Sequence, residues 1–209
     1  MNNLQIILFF CSMFLVVQAQ EFSISKNPQL IQEKIITSNR ASESLKANFV
    51  QEKHMSILNK PFISAGHFLY KAPDKVRWEY TEPFSYIVIL VNNYVSIKDG
   101  SDLQNFDMSK NAVFKEVNRV MSGMVSGRML EDKNFQGTYY ESSDQYKAIL
   151  VPQISSVNAF VEEIHLYFNK QTLQILSVEM IEKEGDKTVI KFLDTKVNEA
   201  ISDELFKNI

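Results

Sequence analysis

The chain has 209 residues, 45% apolar and 22% charged, with a formal net charge of −3 at pH 7. That balance describes a globular protein with enough chain to bury a substantial core. The small negative charge excludes the basic footprint of a nucleic-acid binder or of a protein held electrostatically on an anionic membrane.

No charged side chain precedes Glu21, and Leu4 to Val17 is an almost unbroken apolar run. Val17-Gln18-Ala19 then presents modest side chains at the positions a signal peptidase reads, although no Lys or Arg accompanies the amino terminus. The run is shorter than the roughly 20 residues needed to span a bilayer. Residues 1–19 are therefore expected to be a cleavable export signal cut near Ala19, and residues 20–209 a single domain. Cys11, the one cysteine, lies inside the signal. The rest of the chain accordingly offers no disulfide, thiol nucleophile or cysteine metal site.

Asn27-Pro28 is an N-cap followed by a first-turn proline, and Leu30, Ile31, Ile35 and Leu45 recur at helical spacing. An amphipathic helix is predicted over about 28–45. The period then becomes two. Ala47, Phe49 and Gln51 alternate with Asn48, Val50 and Glu52, and Phe68 and Tyr70 lie opposite His67 and Lys71. Val76, Trp78 and Tyr80 alternate with Lys75, Arg77 and Glu79, the pattern of a strand with one wet face and one covered face. Ser85–Val91 is a continuous strand that turns at Asn92-Asn93 into a return over Tyr94–Lys98.

A second helical segment is predicted at about 111–131, with Met121 and Met124 on its apolar stripe. Strand patterns resume at Phe135–Glu141, Gln145–Val151, Val161–Phe168, Leu173–Glu182 and Lys187–Asp194, the last pair turning at Glu184-Gly185-Asp186. About ten long strands cannot stay in one flat sheet. The expected architecture is mainly β: a strongly curved antiparallel sheet forming an open half-barrel, with two helical segments as its lid.

Catalytic signatures do not emerge. The histidines are His54, His67 and His165, and the last two sit on polar strand phases, which predicts exposed strand histidines. No H-E-x-x-H, G-x-S-x-G or P-loop pattern occurs, and the paired carboxylates fall on polar phases or in turns. The residues predict a binding protein and not an enzyme, with no metal and no cofactor.

The apolar phases are the unusual feature. Phe49, Phe68, Tyr70, Val76, Trp78 and Tyr80 share one face across three strands, and Ile164, Leu166, Phe168, Leu176, Val178 and Met180 do the same later. Two narrow helical stripes are little to fill so wide a sheet. An apolar cavity is expected, with Met121 and Met124 as a deformable part of its surface.

Phe49-Val50-Gln51, the run from Gly66 through Ala72-Pro73 to Trp78 and Tyr80, and Glu82-Pro83 together resemble the outer-membrane lipoprotein carrier family, LolA. Leu150-Val151-Pro152, the strand–turn–strand from Leu173 to Phe192, and the closing Asn198, Ile201 and Phe206 extend the resemblance over nearly all of the exported chain. It implies a half-closed barrel with a helical lid around a cavity for lipoprotein acyl chains, in which Val76 and Trp78 match wall positions. It also implies a periplasmic carrier that takes acylated lipoproteins or free lipid from an inner-membrane donor complex to an outer-membrane acceptor. A monomer is the default expectation, with the oligomeric state left open by the sequence. Ala72 stands where the family has an arginine, and Arg77 nearby is on the opposite phase. The alternative reading is a binding or sensor module of the same fold that acts on envelope proteins.

Overall fold

Pro28 opens helix α1 (Pro28–Arg40), with Asn27 at the N-cap position. The computed structural model describes residues 21–108, 123 and 126–207. The helix ends at Arg40, five residues before the expected limit, because the sheet claims the chain from Ser44 onward. The Glu43 amide donates to Asn198 Oδ1 at 2.8 Å, and Ser44 Oγ donates to the Glu199 carbonyl at 2.6 Å. Leu45, which matched the helical stripe, is a buried strand residue opposite Val197.

The strands in chain order are β1 (Ser23–Ile24), β2 (Ser44–His54), β3 (Phe62–Lys71), β4 (Lys75–Glu82), β5 (Tyr86–Val91), β6 (Tyr94–Asp99) and β7 (Asp102–Asp107). Next come β8 (Phe135–Glu141), β9 (Gln145–Pro152), β10 (Val161–Asn169), β11 (Ile175–Glu182) and β12 (Lys187–Val197). Among the described residues they form one antiparallel sheet of 12 strands, ordered β1-β8-β9-β10-β11-β12-β2-β3-β4-β5-β6-β7. The sheet is open, with β1 and β7 at its edges. Two strands exceed the ten expected: β1 is too short to show a period, and most of β7 is exposed, so it carries no alternation.

Two meanders, β2–β7 and β8–β12, are joined by the β12–β2 pairing, which sets Phe192 opposite Phe49. Most other connections are tight turns, including Asn92 at φ 55° between β5 and β6, while β9 and β10 are joined through a short helix, Ser155–Asn158. Laid flat, twelve strands would span about 55 Å, whereas α1 is only about 20 Å long and 10 Å wide. Yet buried side chains of β2–β6 and β8–β12 join the α1 residues Ile31, Ile35 and Ile36 in one core. A single short helix covers that many strands only if the sheet rolls around it.

Of the expected two-segment lid, α1 is described in full, and Gly123 and Ser126 of the second segment are helical. Most of the second segment, including Met121 and Met124, lies outside the described residues. Its described end, Arg128–Glu131, is a 3-10 turn entered through Gly127 at φ 69°. Gly127 lies against α1, where a side-chain carbon would come within 3.3 Å of Asn39 Cβ. The outer face carries a smaller cluster, in which Ile201 and Phe206 pack on Ile89. Phe206 belongs to a closing 3-10 turn, Asp203–Phe206, anchored by Asp203 to Lys71 at 2.7 Å and to Lys75 at 2.9 Å.

The hydrogen bonds from Lys71 and Lys75 hold the Asp203 carboxyl down at about 2. A carboxyl held below its ordinary value favours the folded state above that value, and the contribution disappears as pH falls through the lowered one. Acidification from about pH 4 to pH 2 should therefore release the closing turn. Protection of the Glu204 and Lys207 amides, taken against the intrinsic exchange rate at each pH, should fall over that window, and Asp203→Asn should show the low protection already at neutral pH.

Candidate functional site

The inner face is built by strand phase. Phe49 and Gln51 of β2, Ser64, Phe68 and Tyr70 of β3, Val76, Trp78 and Tyr80 of β4, and Leu90 of β5 make one wall. Ile164, Leu166, Phe168, Ile175, Val178 and Phe192 make the other. Phe49, Phe68, Tyr70, Val76, Trp78, Ile164, Leu166, Phe168 and Val178 are all at most 3% exposed. Tyr80 and Met180 are partly buried against the same cluster. Leu176 does not join it. A bulge, in which Tyr167 pairs with Ser177 but Phe168 with Ile175, turns Ile175 inward where regular alternation places Leu176.

At the centre of the first wall the rings form a connected stack. Phe49 lies 5.0 Å from Trp78 and 5.1 Å from Tyr80, and Phe68 lies 4.9 Å from Trp78 and 5.5 Å from Phe192, centroid to centroid. Gly66 makes this arrangement possible. It pairs with Phe49 on one side and Tyr80 on the other, and the two rings meet over the space it leaves. A side-chain carbon there would fall 1.9 Å from the Glu79 carbonyl oxygen.

One end of the roll is covered. Asn39 Nδ2 of α1 donates to the Leu173 carbonyl at 3.1 Å, and Gln32 Nε2 donates to the Leu130 carbonyl. Arg128 Nη2 donates to the Pro73 carbonyl at 2.7 Å. The cation at the β3–β4 corner thus comes from the 3-10 turn, next to Ala72.

The other end opens into a cavity of about 400 Å³ lined by Gln51, Phe62, Ser64, Tyr80, Phe84 and Tyr86, with Glu82 and Asp99 among its walls. Tyr80 OH donates to Gln51 Oε1 at 3.0 Å. Burial, with Tyr86 nearby, pushes the Tyr80 phenol up to about 12 against the opposing effect of that bond. Among the described residues, two buried polar atoms on this face have no hydrogen-bond partner, Ser64 Oγ and Trp78 Nε1. Periodicity placed Gln51 in phase with Phe49 but named neither it nor Ser64 and Gly66 as site residues, because none carries an apolar signal. Their in-phase spacing with Phe68 on β3 and with Phe49 on β2 is the one cue that places them.

Exposed apolar side chains crowd this open end. Ile57 and Leu58 come from the β2–β3 connection, Phe62 and Ile63 from the start of β3, Phe84 from the β4–β5 turn and Phe160 from the β9–β10 connection. The histidines lie elsewhere, on outer strand phases. His67 is exposed and bonds Asn48 Oδ1 at 2.9 Å. His165 departs from the expected exposure: its side chain is 13% exposed, held between Glu163 at 2.6 Å and Glu179 at 3.2 Å. Its strand lies inside the sheet, where β11 covers it with Glu179. No group of three or more acidic, histidine or cysteine side chains suited to a metal occurs among the described residues, and no described helix is long and apolar enough to cross a membrane.

The family model described as outer membrane lipoprotein carrier protein LolA matches residues 40–208. No curated protein matches the sequence. Among solved structures, an uncharacterized conserved protein from Thermus thermophilus is similar at 10% identity and a TM-score of 0.53, over 87% of this chain and 93% of that one. MucB in the Pseudomonas aeruginosa MucA/MucB complex is similar at 12% identity and 0.51, over 84% and 59%. The Mycobacterium tuberculosis lipoprotein LppX is similar at 8% identity and 0.50, over 85% and 99%. At these identities the structures share the fold.

Substitutions should separate wall from rim. Phe68→Ala, at a fully buried position, should lower stability in chemical denaturation by about 3–5 kcal/mol. Phe84→Ala, at a position 73% exposed, should change it by no more than about 0.5 kcal/mol. Gly66→Ala should cost about 2 kcal/mol or more, because the backbone it would strike cannot move aside.

Proposed function

The chain belongs to the outer membrane lipoprotein carrier protein LolA family, and from that premise we propose that it is a periplasmic carrier that binds the acyl chains of lipoproteins, or of another lipid, and moves them toward the outer membrane. The observation that carries this reading is the aromatic wall of Phe49, Phe68, Trp78 and Tyr80 running into a cavity open at one end. Each methylene removed from water gains about 0.8 kcal/mol, so a sixteen-carbon chain gains on the order of 10 kcal/mol. Crossing an aqueous compartment requires that surface to be sheltered, and delivery requires the shelter to bind less tightly than the acceptor.

The remaining wall positions, Tyr70, Val76, Ile164, Leu166, Phe168, Val178 and Met180, extend the same apolar surface. With α1 seated, this surface is already packed, so deep insertion needs α1 to withdraw. Among the described residues its polar ties to the rest of the fold include Asn39 to Leu173, Gln32 to Leu130 and Arg40 to Glu131. Nothing in this cycle makes or breaks a covalent bond. Exported by its signal, the carrier works between the two membranes, where a donor loads it and an acceptor unloads it.

The second reading is a binding module for envelope proteins, and the exposed apolar side chains around the opening favour it. MucB is a structural relative solved with a protein partner, MucA. Capture of a partner by lipid-free protein would move weight to that reading.

Native mass spectrometry of protein purified from the envelope should show bound acyl lipid; a consistently empty protein would overturn the carrier reading. Trp78, the one tryptophan, should change its fluorescence when a fatty-acid-like probe enters. Arg40→Cys with Glu131→Cys, bridged by a short bis-maleimide, should hold α1 down and reduce probe binding at least tenfold relative to the unbridged variant.

A further inference from the structure

The cavity at the open end combines two features that the carrier reading leaves unused. The first is an unsatisfied hydroxyl. Ser64 is 5% exposed, lines the cavity, and its Oγ has no partner among the described residues. Buried polar groups in native proteins are nearly always bonded, so such an atom asks what completes it. Trp78 Nε1 is a second unspent donor, deeper on the same face. An indole N–H only donates, and a hydroxyl donates readily, so the group complementary to both is an acceptor such as a carbonyl.

The second feature is the sign of the charge. Glu82 and Asp99 line the cavity, and no lysine, arginine or histidine is among its described lining residues. Lys98 follows the opposite strand phase from Asp99, and Lys53, two residues beyond Gln51, is engaged by Glu182. The negative field reaches the wall: burial and the Asp99 carboxylate together push the Tyr86 phenol up. Phe62 and Phe84 flank this acidic opening with apolar surface.

We propose that this cavity selects its ligand by the head: it takes an acyl ester or amide whose head group is uncharged or cationic, with Ser64 donating to the acyl carbonyl and Glu82 and Asp99 turning anionic lipids away. The inference rests on the acyl-binding reading above. It adds a discrimination that apolar burial cannot supply, since an aromatic wall treats all saturated chains of one length alike. A free fatty acid and an anionic phospholipid would be poor ligands. An acylated amino terminus or a neutral glycerol ester would be good ones.

Four probes with one twelve-carbon chain decide it, titrated at pH 7.5 against Trp78 fluorescence: dodecanoylcholine, monododecanoylglycerol, dodecanoate, and the ether dodecylglycerol, which lacks the carbonyl. The cationic and neutral esters should bind roughly tenfold more tightly than dodecanoate, and the gap should narrow in high salt. The ester should exceed the ether by about fivefold. Glu82→Gln with Asp99→Asn should bring dodecanoate up toward the neutral ester. Ser64→Ala should erase the ester–ether difference. Equal binding of all four probes by the unsubstituted protein would overturn the inference while supporting the carrier reading. So would variants that leave the preferences in place. Binding of none of the four would overturn the carrier reading itself.

Discussion

A one-layer sheet of 12 strands has an apolar face to hide, and among the described residues one helix of 13 residues with which to hide it. The hydrophobic effect resolves that mismatch by curvature. Rolling brings Phe68 and Val76 on one side within reach of Leu166 and Phe168 on the other, and all four end up fully buried. Among the described residues the helix then closes one end of the roll, and the cavity beside Ser64 and Tyr80 opens at the other.

The roll is assembled from two meanders whose internal pairings are local, joined by the long-range β2–β12 ladder. That ladder aligns Phe192 with Phe49 and so completes the aromatic stack around Trp78. A comparable division marks the two faces. The inner face is apolar, and its polar members Gln51 and Ser64 line the cavity at the open end. The outer face carries charge pairs and the small cluster that fastens the closing turn. In this way the fold separates an apolar inner surface from a charged outer one.

Much of this was legible beforehand. Alternation on β2, β3 and β4 placed Phe49, Phe68, Tyr70, Val76 and Trp78 on the correct face, because a strand's period of two is a local property. Helix α1 started where Asn27-Pro28 put it. The failures share a cause. Leu45 followed the helical spacing but was taken by the sheet through Asn198 and Glu199, more than 150 residues along the chain. Leu176 kept its phase in sequence and lost it to a bulge against β10. β7 lies on an edge, exposed along most of its length with Phe106 partly buried near its end, so it had little pattern to read.

The sequence by itself therefore determined which residues face inward, where most turns fall, and which family the chain resembles. All of these are written in short-range periodicity and in short motifs in order. The rolled sheet set the cavity at the Ser64 and Tyr80 end, brought Glu82 and Asp99 to its mouth without a cation among the described lining residues, and left Ser64 Oγ and Trp78 Nε1 without hydrogen-bond partners among the described residues. Those properties depend on which strand ends meet once the sheet has rolled. That is set by curvature and by the β2–β12 register, and neither is encoded in any local stretch of the chain.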